Sequence, residues 1–262
     1  MATTVAEIRL MLKNANADEF EALERSLAAD TRKGVKSALE IARRRLAAEE
    51  SERLRLESLR EFDRALVPEG SSGVVVGLDE VGRGAVAGPL AVGAVALPAE
   101  YDIADLNDSK QLTAEQRETV AAKVKEAALA WAIAYIDAAD IDRDGMSLSL
   151  RKAFKAALEK IEAQGVDPAV VLIDGNPLGI DSREVNVVKG DSKSASIAAA
   201  SVVAKVERDH LMTTLSSTFP QYGFSDNKGY ASEQHRDAIR DHGLTSVHRR
   251  SFCSSFLQET LF

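Results

Sequence analysis

Val74-Val-Val-Gly-Leu-Asp-Glu-Val-Gly-Arg-Gly-Ala-Val-Ala-Gly-Pro-Leu-Ala-Val-Gly-Ala-Val-Ala-Leu97 is a stretch of short apolar runs separated by glycines. Its two apolar runs, Val74 to Leu78 and Leu90 to Leu97, have the composition of buried strands. The glycine-rich turn between them, residues 82–89, is too short to hold a crossover helix, so the two strands should pair antiparallel. This stretch therefore predicts a sheet that is not purely parallel.

Downstream of this hairpin, short apolar runs alternate with longer helical stretches, which is the pattern of an α/β domain. Further strands are predicted at Trp131–Asp137, Ala169–Ile173 and Val185–Val188. Helices are predicted at about 113–127, 147–163, 192–218 and 231–241. We therefore expect an α/β domain over residues 74–262, with a mixed five-stranded sheet flanked by helices.

Upstream, residues 1–66 contain no proline, a single glycine and many Ala, Leu, Glu and Arg residues, so we predict a small all-helical extension. Residues 67–73, Val-Pro-Glu-Gly-Ser-Ser-Gly, are turn formers and predict a linker. Positive and negative charges are interspersed in the extension, which is typical of a solvated helical face. A nucleic-acid-binding arm is the alternative, although the acids weaken its attraction for phosphates.

The 262 residues are 45% hydrophobic and carry a net charge of -8, which argues against a protein that coats nucleic acid by bulk positive charge. The single cysteine, Cys253, is expected to be a small core residue, since it cannot form an internal disulfide. The first residues lack a signal-peptide pattern, and no stretch could span a bilayer without charges. We therefore expect a cytoplasmic protein with no membrane contact.

Four acidic residues are predicted to meet at one edge of the sheet. Asp79 and Glu80 follow the first strand, Asp174 follows the fourth, and Asp191 lies between the fifth strand and a long helix. Ligands bind at the carboxyl ends of strands in α/β sheets. Individually, Asp191 could simply cap its helix and Asp174 could shape a turn. Asp79 and Glu80 are harder to explain structurally, because unpaired acids beside a buried sheet are costly.

Carboxylates gathered at short range repel one another unless a cation neutralises them, and such hard oxygen ligands suit Mg²⁺ or Mn²⁺. Two metal ions held by such acids are typical of phosphodiester cleavage, in which one activates water and the other stabilises the leaving oxygen. The acids therefore predict a metal site suited to phosphodiester hydrolysis.

Several polar segments are candidates for contacts with a nucleic acid. Small residues in Gly82-Arg83-Gly84 would let backbone groups read a 2′-hydroxyl, although a plain glycine hairpin explains them equally well. Phosphate contacts are predicted in two loops that each precede a helix. The first contains Asn107, Ser109 and Lys110, and the segment around it also resembles a helix cap. The second contains Lys189, Ser192, Lys193 and Ser194. Tyr230 could stack on a sugar or base, or be a core tyrosine. His248, Arg249 and Arg250 are interpreted as a solvated face, and the four histidines show no metal-ligand spacing.

Taken in order, these motifs resemble bacterial ribonuclease HII. The resemblance runs from Val74 to Phe252 and rests on Gly-Leu-Asp-Glu-Val-Gly-Arg-Gly-Ala-Val-Ala-Gly-Pro, Asn-Asp-Ser-Lys-Gln-Leu-Thr, Ile-Asp-Gly-Asn, Lys-Gly-Asp-Ser-Lys-Ser, Asn-Lys-Gly-Tyr and His-Arg-Arg-Ser-Phe. It implies a ribonuclease H fold, with Asp79, Glu80, Asp174 and Asp191 as the metal-binding catalytic acids. It also implies that residues 82–84 sense the ribonucleotide 2′-hydroxyl and that Tyr230 packs against the following deoxyribose.

The resemblance further implies hydrolysis 5′ to ribonucleotides in RNA/DNA hybrids and in duplex DNA, which leaves 3′-hydroxyl and 5′-phosphate ends. The related ribonuclease HIII usually carries Gly-Lys-Gly and a sheet-containing N-terminal domain, so Arg83 and the helical extension favour HII. A binding module that has lost catalysis and a metal-dependent phosphatase acting on small substrates are the competing hypotheses.

The final residues, Gln258-Glu-Thr-Leu261-Phe262, resemble the Gln-Leu-x-Leu-Phe motif by which bacterial replication proteins bind the sliding clamp, with Glu259 departing from it. The alternative is a helix end that packs Leu261 and Phe262 on the domain.

Overall fold

The computed structural model describes residues 3–71 and 73–257, with side chains up to Ser254. The chain forms two compact units, residues 1–57 and 58–262, and the boundary lies within one long helix. The clamp-motif residues Gln258, Leu261 and Phe262 lie outside the described part of the chain.

The first unit is helical, as predicted. It contains α1 (Val5–Asn14), α2 (Ala17–Leu27) and most of α3 (Lys33–Ala65). Thr4 and Asn16 each cap their helix by accepting a hydrogen bond from the backbone N–H three residues on. The glutamate at that position accepts in turn from the backbone N–H of the capping residue. The helices bury a small apolar core between them: Ile8, Leu12, Ala15, Phe20, Val35, Ala38 and Ala42.

The second unit contains a five-stranded mixed sheet, as predicted. Its strands are β1 (Val75–Val81), β2 (Leu90–Ala96), β3 (Ala130–Ile136), β4 (Val170–Asp174) and β5 (Glu184–Val187). They lie in the order β3-β2-β1-β4-β5. The hairpin of β1 and β2 is antiparallel, as its short turn required, whereas β1 pairs parallel with β4 and β4 with β5.

Helices cover both faces of this sheet. Their bounds are α4 (Ala114–Ala127), α5 (Ala138–Asp144), α6 (Met146–Glu162), α7 (Ala195–Thr218), α8 (Phe224–Asn227), α9 (Glu233–His242) and α10 (Arg250–Leu257). The α6 side forms the larger core, which includes Phe154 and Leu158. Helix α7 lies against the other face. Among the described residues, no helix is both long and apolar enough to cross a membrane.

Two glycines let α7 approach the sheet closely. A Cβ atom at Gly77 of β1 would overlap the backbone of Ser196, and one at Gly93 of β2 would overlap the carbonyl oxygen of Ala200. Any larger residue would therefore push the helix away from the strands. This contact fixes where the polar residues of α7 stand relative to the end of β1.

Two predicted boundaries were wrong in ways that affect the site. Strand β1 does not end at Leu78 but continues to Val81, because Asp79 and Glu80 still pair with β2. The long helix does not begin at residue 192, because the chain first makes a separate 3₁₀ turn at Gly190–Ser192. Helices α5, α8 and α10 were not predicted.

Candidate active site

The four predicted acids lie around the carboxyl ends of two neighbouring parallel strands. Asp79 and Glu80 belong to β1, and Asp174 is the last residue of β4. Asp191 lies in the 3₁₀ turn that follows β5, and the N–H of its neighbour Gly190 donates to Asp174 Oδ1 at 2.6 Å. The fold therefore brings all four to one edge of the sheet.

Strand alternation separates the first two acids. Successive residues of a strand point to opposite faces, so Asp79 faces α7 and Glu80 faces α6. A cleft of about 460 Å³ is lined by both acids together with Asp174, Ser201 and Tyr230. A second cleft of about 390 Å³, on the α6 side, is lined by Glu80 and Asp174 but not by Asp79. The edge of the sheet is thus open on both sides.

Asp79 is the most perturbed acid of this group. It is only 7% exposed, and burial, with repulsion from Glu80 and Asp174, raises its pKa to about 8. Burial likewise raises the pKa of Glu80, to which repulsion from Asp174 adds, and that of Asp174, to which repulsion from Asp191 adds. A cation among these carboxylates would stabilise their charged forms.

Each acid has a local partner in this structure. Glu80 Oε1 lies 3.4 Å from Arg83 Nη1, and Asp191 Oδ2 lies 3.3 Å from Lys110 Nζ. Asp79 Oδ1 accepts from the backbone N–H of Glu80 at 2.8 Å. Within the described residues, no three His, Cys, Asp or Glu side chains converge on a point that could hold a metal ion. The carboxylate donors are of the kind that suits Mg²⁺ or Mn²⁺, and in this structure Glu80 and Asp191 lie beside Arg83 and Lys110.

A chain of buried hydroxyl groups supports Asp79. The Ser201 side chain of α7 lies beside Asp79 and favours its charged form, which opposes the rise in its pKa. The Ser201 Oγ also lies 3.0 Å from the Oγ of Ser109, and both serines are buried. Sequence reasoning missed Ser201, although its place one turn after Ile197 on an apolar helix marks it as a buried polar residue.

The predicted phosphate loop divides between the interior and the surface. Ser109 points inward to Ser201, whereas Lys110 is exposed and reaches Asp191. Asn107 folds back on its own loop, with its Nδ2 3.3 Å from Gln111 Oε1. The helix-cap alternative is correct for Thr113, the last residue of this segment, which caps α4. Lys110 is therefore the member of the loop that is both charged and directed at the acids.

The second predicted phosphate loop is exposed at Lys189, Ser192 and Lys193. These three residues are not among those that line the 460 Å³ cleft. Ser194 is buried and caps α7 by accepting a hydrogen bond from the N–H of Ile197 at 3.2 Å. Ser194, predicted as a phosphate contact, is therefore a buried helix cap.

The loop of residues 82–84 follows β1 directly. Gly82 has φ +82° and a Cβ atom there would overlap Arg208 Nε, so only glycine fits. Nothing lies within 4 Å of the Cβ position at Gly84. The Arg83 side chain is 62% exposed beside Glu80. The loop therefore presents an open backbone surface next to the acids.

Two fully buried arginines donate hydrogen bonds to backbone carbonyl oxygens of the glycine-rich turn, and the sequence did not predict this role for either of them. Arg249 donates to the carbonyl oxygens of Arg83 and Gly88, at 2.9 and 3.1 Å. Arg208 donates to those of Pro89 and Lys228, both at 2.9 Å. The prediction of a solvated face at residues 248–250 was wrong for His248 and Arg249, which are 2% and 0% exposed. Backbone carbonyl oxygens replace water around Arg249, and His235 and Thr245 do so around His248.

Tyr230 stands at the rim of the same cleft. Its side chain is 41% exposed, and the Arg208 guanidinium lies 5.8 Å from its ring centroid. The preceding carbonyl group, that of Gly229, accepts from the N–H groups of Val86 and Ala87, at 2.9 and 3.1 Å. Tyr230 is therefore an exposed aromatic residue, not a core tyrosine, and its loop is joined to the glycine-rich loop.

The match to known proteins covers the chain from its first helix to α10. The family model for ribonuclease HII matches residues 76–255, and that for the ribonuclease HII N-terminal domain matches residues 4–67. The chain belongs to the ribonuclease HII family. The enzyme is accordingly a ribonuclease H, an endonuclease that hydrolyses phosphodiester bonds.

Similar proteins agree with this assignment. Ribonuclease HII of Halalkalibacterium halodurans is 38% identical over 95% of this chain and 93% of its own length. That of Ligilactobacillus salivarius is 38% identical over 95% of both chains. The ribonuclease H2 of Pyrococcus horikoshii has a similar structure, with a TM-score of 0.60 and 25% identity over 71% of this chain and 98% of its own.

Two more distant structures share the fold. One is the ribonuclease HII of Archaeoglobus fulgidus, solved as a complex with PCNA (TM-score 0.56, 24% identity, 67% of this chain and 93% of that one). The other is Bst-RNase HIII in complex with Mn²⁺ (TM-score 0.57, 23% identity, 72% of this chain and 70% of that one).

Proposed function

We propose that this enzyme hydrolyses the phosphodiester bond 5′ to ribonucleotides, both in RNA/DNA hybrids and at single ribonucleotides embedded in duplex DNA, leaving 3′-hydroxyl and 5′-phosphate ends. The observation that carries the proposal is the juxtaposition, in one cleft, of the acids Asp79, Glu80 and Asp174 with the open Gly-Arg-Gly backbone and Tyr230. Such a specificity suits an enzyme that removes misincorporated ribonucleotides in the cytoplasm.

The residues that would hold two Mg²⁺ or Mn²⁺ ions are Asp79, Glu80, Asp174 and Asp191. The raised pKa values of the first three support this assignment, because partly or fully buried carboxylates that repel one another are costly in their charged form without a cation. Bound there, the ions would activate water and stabilise the leaving oxygen. The Ser201 side chain favours the charged form of Asp79, and Lys110 Nζ lies beside Asp191.

Recognition of the sugar is assigned to residues 82–84 and Tyr230. The Gly82 and Gly84 backbone lacks side chains that would block a 2′-hydroxyl, which is both a donor and an acceptor. The exposed ring of Tyr230 offers a surface for the next sugar. Phosphate contacts are assigned to the two polar loops: Asn107, Ser109 and Lys110, and Lys189, Ser192 and Lys193. We assign these contacts to the catalytic domain, residues 74–262, and leave the helical extension, residues 1–66, outside them.

The decisive experiment uses a duplex with one embedded ribonucleotide and a matched all-DNA duplex, each incubated with Mg²⁺ or Mn²⁺. We expect one nick, 5′ to the ribonucleotide, and no cleavage of the DNA control. Asp79→Asn should abolish the nick while binding of the duplex remains measurable. Cleavage of both duplexes, or of neither, refutes the proposal, and turnover of nucleotide monophosphates that is unaffected by Tyr230→Ala would favour a small-molecule phosphatase.

A second proposal concerns a partner protein. The terminal sequence around Gln258, Leu261 and Phe262 resembles a clamp-binding motif, and the relative from Archaeoglobus fulgidus was solved with PCNA. We expect removal of residues 258–262 to weaken binding to a bacterial sliding clamp without changing turnover of a short oligonucleotide. Equal clamp binding by the truncated and full-length chains would refute this.

A further inference from the structure

Behind Tyr230 lies a pair of buried histidines that the proposed chemistry does not use. His235 of α9 and His248 are 0% and 2% exposed, and their Nε2 atoms lie 3.1 Å apart. The rings are surrounded by Tyr222 and Phe224, at centroid distances of 4.8 to 6.1 Å. The pair joins the segment before α10 to the loop that carries Tyr230.

Backbone groups at both ends determine where the protons of this pair lie. The N–H of Thr245 points at His248 Nδ1 from 3.0 Å, and since a backbone N–H can only donate, Nδ1 must be unprotonated. The carbonyl oxygen of Tyr230 lies 2.8 Å from His235 Nδ1, and since a carbonyl can only accept, that Nδ1 must carry a proton. The Thr245 hydroxyl, 2.8 Å from the same His248 Nδ1, can donate as well.

Only one arrangement of protons then fits the contact between the two Nε2 atoms. Neutral His248 carries its proton on Nε2, and neutral His235 has a free lone pair on Nε2, so His248 donates to His235. Protonation of His235 would set two N–H groups against each other, and protonation of His248 would set its Nδ1–H against Thr245. Burial lowers the pKa of both rings, that of His248 to about 4, which agrees with a neutral pair.

The geometry also argues against a metal site at this pair. Because His248 Nδ1 accepts from Thr245, His248 carries its proton on Nε2, and that nitrogen has no lone pair to offer a metal ion. Both Nδ1 atoms are already engaged by Thr245 and Tyr230. The pair is therefore a hydrogen-bonded connection.

This connection ends on the residue that faces the cleft. The Tyr230 carbonyl accepts both from His235 and from the N–H of Ser232, at 2.8 Å each. These two bonds fix the peptide plane from which the exposed ring projects. The tautomer order of two buried side chains thus sets the orientation of a residue at the rim of the active site.

We propose that His235 is a positioning residue for Tyr230, and that His248, by donating to His235 Nε2, keeps the His235 proton on Nδ1; the bond from Nδ1–H to the Tyr230 carbonyl then fixes the angle at which the ring meets the sugar that follows the ribonucleotide. The inference rests on the proposed function for the identity of that sugar. Neither histidine touches the substrate.

Two substitutions at one position separate this role from simple core packing. Asn places its amide N–H where His235 Nδ1 stands, so His235→Asn keeps the bond to Tyr230, whereas His235→Gln places the amide at the Nε2 position and loses it. For the embedded-ribonucleotide duplex we expect kcat/KM to fall roughly fivefold, mainly through KM, in the Gln variant, and less than twofold in the Asn variant. Unfolding temperatures of both variants are measured in parallel.

A double-mutant cycle with Tyr230→Ala supplies the control. If the histidine acts through Tyr230, His235→Gln should cause no further loss in the Tyr230→Ala background. Equal losses in the Asn and Gln variants, or a fivefold loss that persists without the tyrosine ring, would overturn the proposal.

A second measurement does not depend on the substrate. In the ¹⁵N-histidine spectrum of the full chain at pH 7, His235 should appear as the Nδ1–H tautomer and His248 as the Nε2–H tautomer. Either histidine in the other tautomer, or charged, overturns the inference even if the enzyme cleaves as proposed. If the wild-type enzyme spares the ribonucleotide duplex, the proposed function fails while this spectrum still decides the order of the pair.

Discussion

Replacing Ser201 with alanine tests whether α7 supports the active site through Asp79. The substitution removes the Ser201 hydroxyl, which favours the charged form of Asp79, and with it the hydrogen bond between Ser201 and the buried Ser109 hydroxyl. A hydrogen bond to a charged group contributes about 1.5–3 kcal/mol. Since about 1.4 kcal/mol corresponds to tenfold in rate, kcat/KM should fall roughly 10-fold to 100-fold.

The loss of folding stability should be smaller than the loss of activity. Because the pKa of Asp79 is about 8 without a cation, the acid is mostly neutral at pH 7, and the hydrogen bond lost is the one between the neutral hydroxyls of Ser201 and Ser109. Such a bond contributes about 1 kcal/mol, so the free energy of unfolding should fall by about 1–2 kcal/mol. Activity requires the charged form of Asp79, so the substitution should lower kcat/KM by more than it lowers the free energy of unfolding.

The assay compares Ser201→Ala with a matched control, Ser149→Ala. Ser149 is also a fully buried serine on a helix, but its Oγ has no hydrogen-bond partner within the described chain. Removal of this hydroxyl should leave kcat/KM unchanged, and the free energy of unfolding should stay the same or rise slightly. Turnover of the embedded-ribonucleotide duplex is measured over a range of Mg²⁺ concentrations, with urea unfolding in parallel. Equal activity of the two variants would refute the role of Ser201.

Three further predictions concern Asp79 and the adjoining glycine loop. The raised pKa of Asp79 means that the folded metal-free protein holds a proton more tightly than the unfolded chain. Its free energy of unfolding should therefore fall as pH rises from about 4 to about 8, with a slope of up to about 1.4 kcal/mol per pH unit. In urea unfolding with EDTA, Asp79→Asn should flatten this slope, and an unchanged slope would contradict the prediction. Binding of Mn²⁺ at pH 7 should release about one proton, measured by calorimetry in buffers of different ionisation enthalpy, and a buffer-independent heat would count against it. Gly82→Ala should destabilise the fold by at least about 1 kcal/mol because of its positive φ and the overlap with Arg208, whereas Gly84→Ala should leave the unfolding temperature unchanged.

The strands were predictable because their signals are local. The run before Asp79 is apolar and β-branched, and the turn after Val81 is too short for a helix, so composition and loop length alone give an antiparallel pair. The end of β1 was misplaced because charge normally marks a strand boundary. At Asp79 and Glu80 the pairing with β2 continues and overrides that signal.

The buried cations were not predictable from local patterns. An Arg-Arg pair reads as surface, and nothing near Arg249 in the sequence shows that the carbonyl oxygens of Arg83 and Gly88, more than 160 residues earlier, will solvate it. The same holds for His235 and His248, whose contact depends on two separate segments meeting. Such partners are visible only once the chain is folded.

The site nevertheless has a simple organisation along one face of α7. One stripe of this helix, with the spacing of three and four residues that places side chains on one face, consists of Ile197, Ser201, Ala204, Arg208 and Met212. Along the stripe they meet, in turn, the apolar core beside β1, Asp79, Gly93, the Gly82 turn and the Gly88 turn. Because Cβ atoms at Gly77, Gly82, Gly88 and Gly93 would all overlap atoms of this helix, its position relative to the sheet is fixed along its length. A shift of α7 would disturb Asp79 and the Gly82 turn together, so under the proposed function these glycines are constrained by the geometry of the active site as much as by packing.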